Sequence, residues 1–147
     1  MSEQRHHYQV TVEWEGATER YDAYSRDHRI VADGRPDIPG SADPSFRGDP
    51  ARWNPEQLLV ASLSACHKLW FLHLASEAGL VVTRYEDAAE GWMSESEQGG
   101  HFDEVILHPQ VTLASGDASL LAGIHHHAHA RCFVAASMNF PVTVEPR

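Results

Sequence analysis

Between residues 54 and 79 the chain reads NPEQLLVASLSACHKLWFLHLASEAG, and its apolar positions recur at helical rather than alternating spacing. Asn54 suits an N-cap, Pro55 the first helical position and Glu56 the first turn, while Gly79 suits the residue just past a helix end. The span predicts a helix of roughly 36 Å at 1.5 Å per residue. Leu59, Leu63, Cys66, Trp70 and Leu74 form one apolar stripe, and Leu58, Ala61, Ala65, Leu69, Phe71 and Leu72 extend hydrophobicity around most of the circumference. A helix apolar on most sides is expected to be buried. Ser62, Ser64, Lys68 and His73 interrupt it, which argues against a membrane span.

Elsewhere the pattern changes. In residues 8–15, Tyr8, Val10, Val12 and Trp14 alternate with polar neighbours, the period of a half-buried strand. Residues 19–25 read as a weaker returning strand and 29–32 as a third, so that 1–33 forms a meander. Residues 34–53, rich in Pro, Gly, Asp and Ser, read as a long ordered loop with room for one short helical turn. After the central helix, residues 80–113 read as a hairpin: one strand over 80–93, a polar tip over 94–100 and a partner over 102–113, with Pro109 marking an edge or bulge. Ser115 or Asp117 can cap a second helix over 117–136, whose inner face would be Leu121, Ile124, Ala128, Cys132 and Ala135. Residues 141–146 form a short last strand. The order of elements predicts a single α+β domain over residues 1–147 rather than an alternating α/β one.

A net charge of −10, from 11 basic and 21 acidic residues, argues against nucleic acid or an anionic membrane as a partner. No signal peptide or lipidation motif is apparent, so the expected location is cytoplasmic. Two cysteines are too few for a disulfide scaffold; in a reducing compartment a pair means redox chemistry, a metal site or two packing thiols. Free cysteine is among the most buried residue types, which makes packing the plainest reading of Cys66 and Cys132 from the residues alone. The run from His125 to His129 offers another, because His125, His129 and Cys132 fall on one helix face and Cys66-His67 would complete a zinc or other transition-metal set. Helical histidines are more often solvated or hydrogen-bonded. His67 points about 100° away from Cys66 on a helix and is not expected to join its chemistry.

With both helices in view, the chain resembles the OsmC/Ohr family of thiol-dependent peroxidases. The resemblance rests on NPEQLLVASLSACH, and on the second cysteine in HARCFVAASMNFPVTVEP near the C-terminal strand. It implies an OsmC-like fold, in which antiparallel sheets wrap two long central helices in an intertwined homodimer with active sites at the subunit interface. It also implies that Cys66 attacks an organic hydroperoxide and becomes a sulfenic acid, and that Cys132 condenses with it to a disulfide. A dithiol, typically a lipoyl group on a partner protein, would complete the cycle, with no cofactor and no metal. Glu56 matches the family's glutamate. The activating arginine is best matched by Arg26, in Ser25-Arg26-Asp27, with Arg29 close enough to compete for the role. The alternatives are a non-catalytic OsmC-like domain with a stress or ligand-binding role, and the metal-binding protein above.

Only a thiolate attacks the peroxide oxygen, and a free cysteine near its usual pKa of about 8.5 is mostly protonated at neutral pH. Cys66 lies too far along its helix for the dipole to help, so it needs a cation, which would be Arg26 oriented by a bidentate contact to Glu56. Trp70, Phe71 or Phe133 would supply an apolar wall suited to an organic peroxide. Glu56 and Cys66 are ten positions apart, about 15 Å on a straight helix. Either that helix bends, or Arg26 and Glu56 serve the Cys66 of the partner chain; the second is the expectation.

Overall fold

The helix start at Asn54 is built as a capping box. In the computed structural model, which describes residues 2–147, Asn54 Oδ1 accepts the Gln57 backbone N–H at 2.8 Å and Gln57 Oε1 accepts the Asn54 N–H at 3.1 Å. Helix α1 (Pro55–Glu77) runs from there as one 23-residue element. It closes in a Schellman turn: Gly79 takes a φ of 79°, Leu80 N–H reaches the Ala75 carbonyl at 2.9 Å, and Gly79 N–H reaches Ser76 at 3.1 Å. By length and composition α1 could cross a bilayer. It buries Leu63, His67, Phe71 and Ala75 along one row, however, and an imidazole in that row marks a core helix.

That row corrects the predicted stripe. Only Leu63 of the expected set is fully buried, Cys66 and Trp70 are half-buried, and Leu69 is 62% exposed in the single chain. A helix apolar nearly all round does not announce which row it will bury; the packing partner selects one of its i+4 ridges.

The chain divides into two compact units, residues 1–58 and 59–147. In the first, β1 (Thr11–Glu13), β2 (His28–Val31) and β3 (Ile38–Gly40) form an antiparallel sheet in chain order. Two expectations change here. Residues 19–25 are turns and bends, not a strand, because side chains take the carbonyls a ladder would use: Trp14 Nε1 donates to the Ser25 carbonyl at 2.7 Å, and Arg26 donates to Tyr21 and Tyr24. The loop over 34–53 contains β3 and a 3-10 turn at Pro44–Phe46 capped by Asp43. Arg52 fastens it by donating to the His28 carbonyl at 3.0 Å, and the fully buried Ser41 bridges Asp27 and the Asp49 N–H.

In the second unit the expected hairpin over 80–113 is four strands in two sheets. β4 (Val81–Asp87) pairs antiparallel with β7 (Pro109–Ser115), while β5 (Glu90–Ser96) pairs antiparallel with β6 (Gly99–Leu107), which pairs in parallel with β8 (Val142–Val144). The chain leaves one sheet after Asp87 and returns at His108. Asp87 ties the two crossings together by accepting the His108 N–H at 2.7 Å and Ser64 Oγ at 2.5 Å. The predicted second helix is also divided, into a 3-10 turn (Ala118–Leu120) capped by Asp117, α2 (Leu121–Arg131) and the short α3 (Phe133–Ala136). Two apolar clusters fill this unit: Phe71, Ala75, Leu80, Ile124 and Ala128 form one, and Leu63, Val105, Leu107 and Val142 the other. Each fully buried Leu or Phe contributes about 2–3 kcal/mol.

Candidate active site

Cys132 is the break between α2 and α3. Its backbone sits at φ −67° and ψ 111°, and its sulfur accepts the Ala135 N–H at 3.4 Å, so the thiol caps the short helix. No Gly or Pro marks the spot; the cap does the work that a breaker would do. Cys132 is 2% exposed, and its thiol lies beside that of Cys66. Burial, and then the neighbouring Cys66 thiol, push the Cys132 thiol up to about 11. Cys66 is half-buried and, like Cys132, free. Thus two thiols 66 positions apart in sequence meet, one reachable from solvent and one held protonated beneath it.

Close by, α1 and α2 are joined by a second pair. His67 and His125 are both buried, lie edge to edge with ring planes 7° apart, and share a hydrogen bond of 3.0 Å between His67 Nε2 and His125 Nδ1. Phe71 stacks on His125 with a centroid distance of 4.2 Å. Burial lowers both histidines to about 4; His125 and His129 reinforce the fall at His67, and Asp87 opposes it at His125. Both imidazoles are therefore neutral at pH 7. Burial, and then Asp87, hold the Tyr85 phenol well above its usual range, and that hydroxyl has no hydrogen-bond partner among the described residues. Neither Asp87 nor the His67–His125 contact carries a sequence signal, since each depends on contacts between distant elements. Among the described residues, no three His, Cys, Asp or Glu side chains converge as a metal-holding group.

In the first unit, Arg26 and Glu56 line one cavity of about 410 Å³, with His28, Phe46 and Pro55. They form no ion pair. The Arg26 guanidinium lies over the Tyr24 ring at 3.7 Å and the Tyr21 ring at 4.7 Å, and donates to both tyrosine carbonyls. The expected bidentate contact is absent because these rings and carbonyls hold the cation. Glu56 Oε2 is left buried and, among the described residues, without a hydrogen-bond partner. Arg29 is committed elsewhere, to Glu13 at 2.6 Å and Asp37 at 2.8 Å, on the exposed side of the sheet. Of the two candidate arginines, only Arg26 shares a cavity with Glu56.

The expected apolar wall changes in one member. Phe71 is fully buried core, whereas Trp70 and the 71% exposed Phe133 meet edge to face at 5.6 Å, one turn from Cys66 and beside Cys132 respectively. Arg131 lies over the Trp70 ring at 5.7 Å. A shallow cavity of about 270 Å³ opens at Leu69, Trp70 and His73.

A sequence model of the family described as OsmC-like protein matches residues 48–147. Peroxiredoxin OsmC of Escherichia coli strain K12 is 27% identical over 92 residues, 63% of this chain and 64% of that protein, so the matched stretch spans just under two thirds of that relative. An OsmC-like protein of unknown function from Vibrio cholerae superposes with a TM-score of 0.85 at 33% identity, covering 95% of this chain and 97% of that one. The organic hydroperoxide resistance protein OhrB of Bacillus subtilis has the same fold, with a TM-score of 0.66 at 22% identity over 95% and 98% of the two chains.

Proposed function

The chain belongs to the OsmC-like family, and on that premise we propose that it is a two-cysteine thiol peroxidase acting on organic hydroperoxides. The observation that carries the reading is the contact between a half-buried Cys66 and a buried, protonated Cys132. The Cys66 thiolate attacks the outer peroxide oxygen, the O–O bond breaks, and the alkoxide takes a proton to leave as an alcohol. Cys66 becomes a sulfenic acid. Cys132 then attacks that sulfur, its thiol proton leaves with the sulfenic hydroxyl as water, and a disulfide forms. A dithiol reductant, such as a lipoyl group on a partner protein, returns both thiols by exchange and is itself oxidised to a disulfide. The Trp70–Phe133 pair favours an organic over an inorganic peroxide.

Arg26 and Glu56 complete the proposal as the cation for the Cys66 thiolate and the carboxylate that orients it, supplied by the partner chain of a homodimer. Two features support this. α1 carries Glu56 and Cys66 ten positions apart on one unbroken helix. Glu56 Oε2 is a buried acceptor with no donor among the described residues, the state expected of a carboxylate whose guanidinium has turned away. The dimer is supported by the N-terminal segment, where Tyr8, Val10 and Val12 keep a strand's alternation yet are 86%, 64% and 61% exposed in one chain. A monomeric variant with full peroxidase activity contradicts the shared site. The chemistry is tested by counting free thiols before and after stoichiometric cumene hydroperoxide: loss of both, with an intramolecular disulfide, is expected. Thiols that stay reduced in the folded protein favour a non-catalytic OsmC-like domain instead.

A further inference from the structure

The peroxidase scheme uses two thiols, an arginine and a glutamate, and leaves the buried His67–His125 pair without a task. It is an odd choice for a core. His67 is 1% exposed; among the described residues its Nδ1 has no hydrogen-bond partner, and the 3.0 Å bond between Nε2 and His125 Nδ1 is its one side-chain hydrogen bond. Two apolar side chains of similar shape would fill the space without burying imidazole nitrogens. What the pair supplies and apolar packing does not is direction: a hydrogen bond between nearly coplanar rings, edge to edge, fixes both separation and rotation of α1 against α2. His67 directly follows Cys66 on α1, and His125 lies on α2, the helix that ends at Cys132. Phe71 stacks on a face of His125. A disulfide closes only when two Cα atoms lie about 4.4–6.8 Å apart with suitably directed Cβ atoms.

We propose that the His67–His125 hydrogen bond is a strut that holds the two thiol-bearing segments in disulfide-forming register, making both histidines positioning residues for closure of the Cys66–Cys132 bond. The proposal rests on reading these cysteines as a redox pair. Neither histidine touches the peroxide; both act through where the sulfurs sit. In the resolving step Cys66–SOH and HS–Cys132 give the disulfide and water. The strut leaves the first step, peroxide attack on Cys66, unchanged.

The test separates the two steps. Sulfenate formation at Cys66 is followed by dimedone trapping, and disulfide closure by non-reducing peptide mapping, after rapid mixing with cumene hydroperoxide. His67→Leu is expected to form sulfenate at the wild-type rate but to close the disulfide at least about ten-fold more slowly, since small misplacements of reacting groups carry large rate penalties. The double variant His67→Gln/His125→Asn, which restores an amide donor and acceptor at the positions of Nε2 and Nδ1, is expected to recover closure to within about three-fold of wild type. A merely destabilised core would not separate the steps or respond to that rescue. Should His67→Leu fail to fold, His67→Asn, whose amide stops short of His125, takes its place. Closure at the wild-type rate in the leucine or asparagine variant overturns the strut. If wild type forms no sulfenate, the peroxidase reading fails while the strut remains testable. Diamide oxidises the dithiol directly, taking both thiol hydrogens onto its N=N bond, and the same ten-fold slowing is then expected. Equal diamide rates overturn the strut.

Discussion

The buried histidine pair makes a quantitative demand on stability. Both imidazoles ionise near 4 in the folded chain, against about 6.5 when exposed. The unfolded state therefore binds more protons between these values, and stability must fall as pH drops through that window. It is fully present above about 6.5. At pH 5 each unfolded histidine is almost wholly protonated and each folded one almost wholly neutral, so the loss relative to pH 7 is about 2 kcal/mol per histidine and about 4 kcal/mol for the pair. For a chain of this length that corresponds to a fall in Tm of roughly 10 °C. Reduced wild type and His67→Leu/His125→Leu are to be unfolded thermally and in urea at pH 5, 6, 7 and 8, at fixed protein concentration because dimerisation enters the equilibrium. The difference between the two pH profiles isolates the pair from the nine other histidines and the carboxylates. Wild type should lose about 4 kcal/mol more than the variant between pH 7 and 5. Parallel profiles would refute the claim that these rings are buried neutral.

Phe71→Ala removes a fully buried side chain that contacts His125 and Tyr85, and should lower urea stability by about 3–5 kcal/mol; a loss under 1 kcal/mol would mean the cluster is not packed as described. Asn54→Ala breaks the capping box and should cost about 1 kcal/mol by the same assay, with Asn54→Ser nearly neutral. Arg26→Gln should lower kcat/KM for cumene hydroperoxide about 10- to 100-fold through loss of the thiolate's cation, whereas Arg29→Gln, whose charge is committed to Glu13 and Asp37, should change it less than three-fold. The reverse ranking would transfer the role to Arg29.

What could be read from the chain was what is local or what is carried by a motif. Asn54, Pro55 and Gly79 announced α1 because caps depend on neighbouring residues alone, whereas the half-buried strand read from the alternation at residues 8–15 is paired only over Thr11–Glu13 and is exposed in the single chain. The family motif drew attention to Cys66 and Cys132, and the structure brings their thiols together. The sheet switch at Asp87 and His108 left no trace, because it rests on hydrogen bonds that Asp87 accepts from Ser64 and His108, 23 and 21 positions away. The break at Cys132 was hidden because a thiol, not a Gly or Pro, makes the cap. Which row of α1 is buried was undecidable for a helix apolar on most sides, and this placed Cys66 one step too deep. Arg26 was expected on Glu56; Tyr21 and Tyr24 hold it through aromatic contacts that no spacing reports.

The most direct measurement is mass mapping of the cysteines after one equivalent of cumene hydroperoxide, in wild type, Cys132→Ser and Cys66→Ser, with dimedone present. Wild type should yield a single Cys66–Cys132 disulfide, and Cys132→Ser should yield the dimedone adduct on Cys66. An adduct on Cys132 in Cys66→Ser at the same rate, or a Cys66 that stays reduced in wild type and Cys132→Ser alike, would contradict the assignment of Cys66 as the attacking thiol.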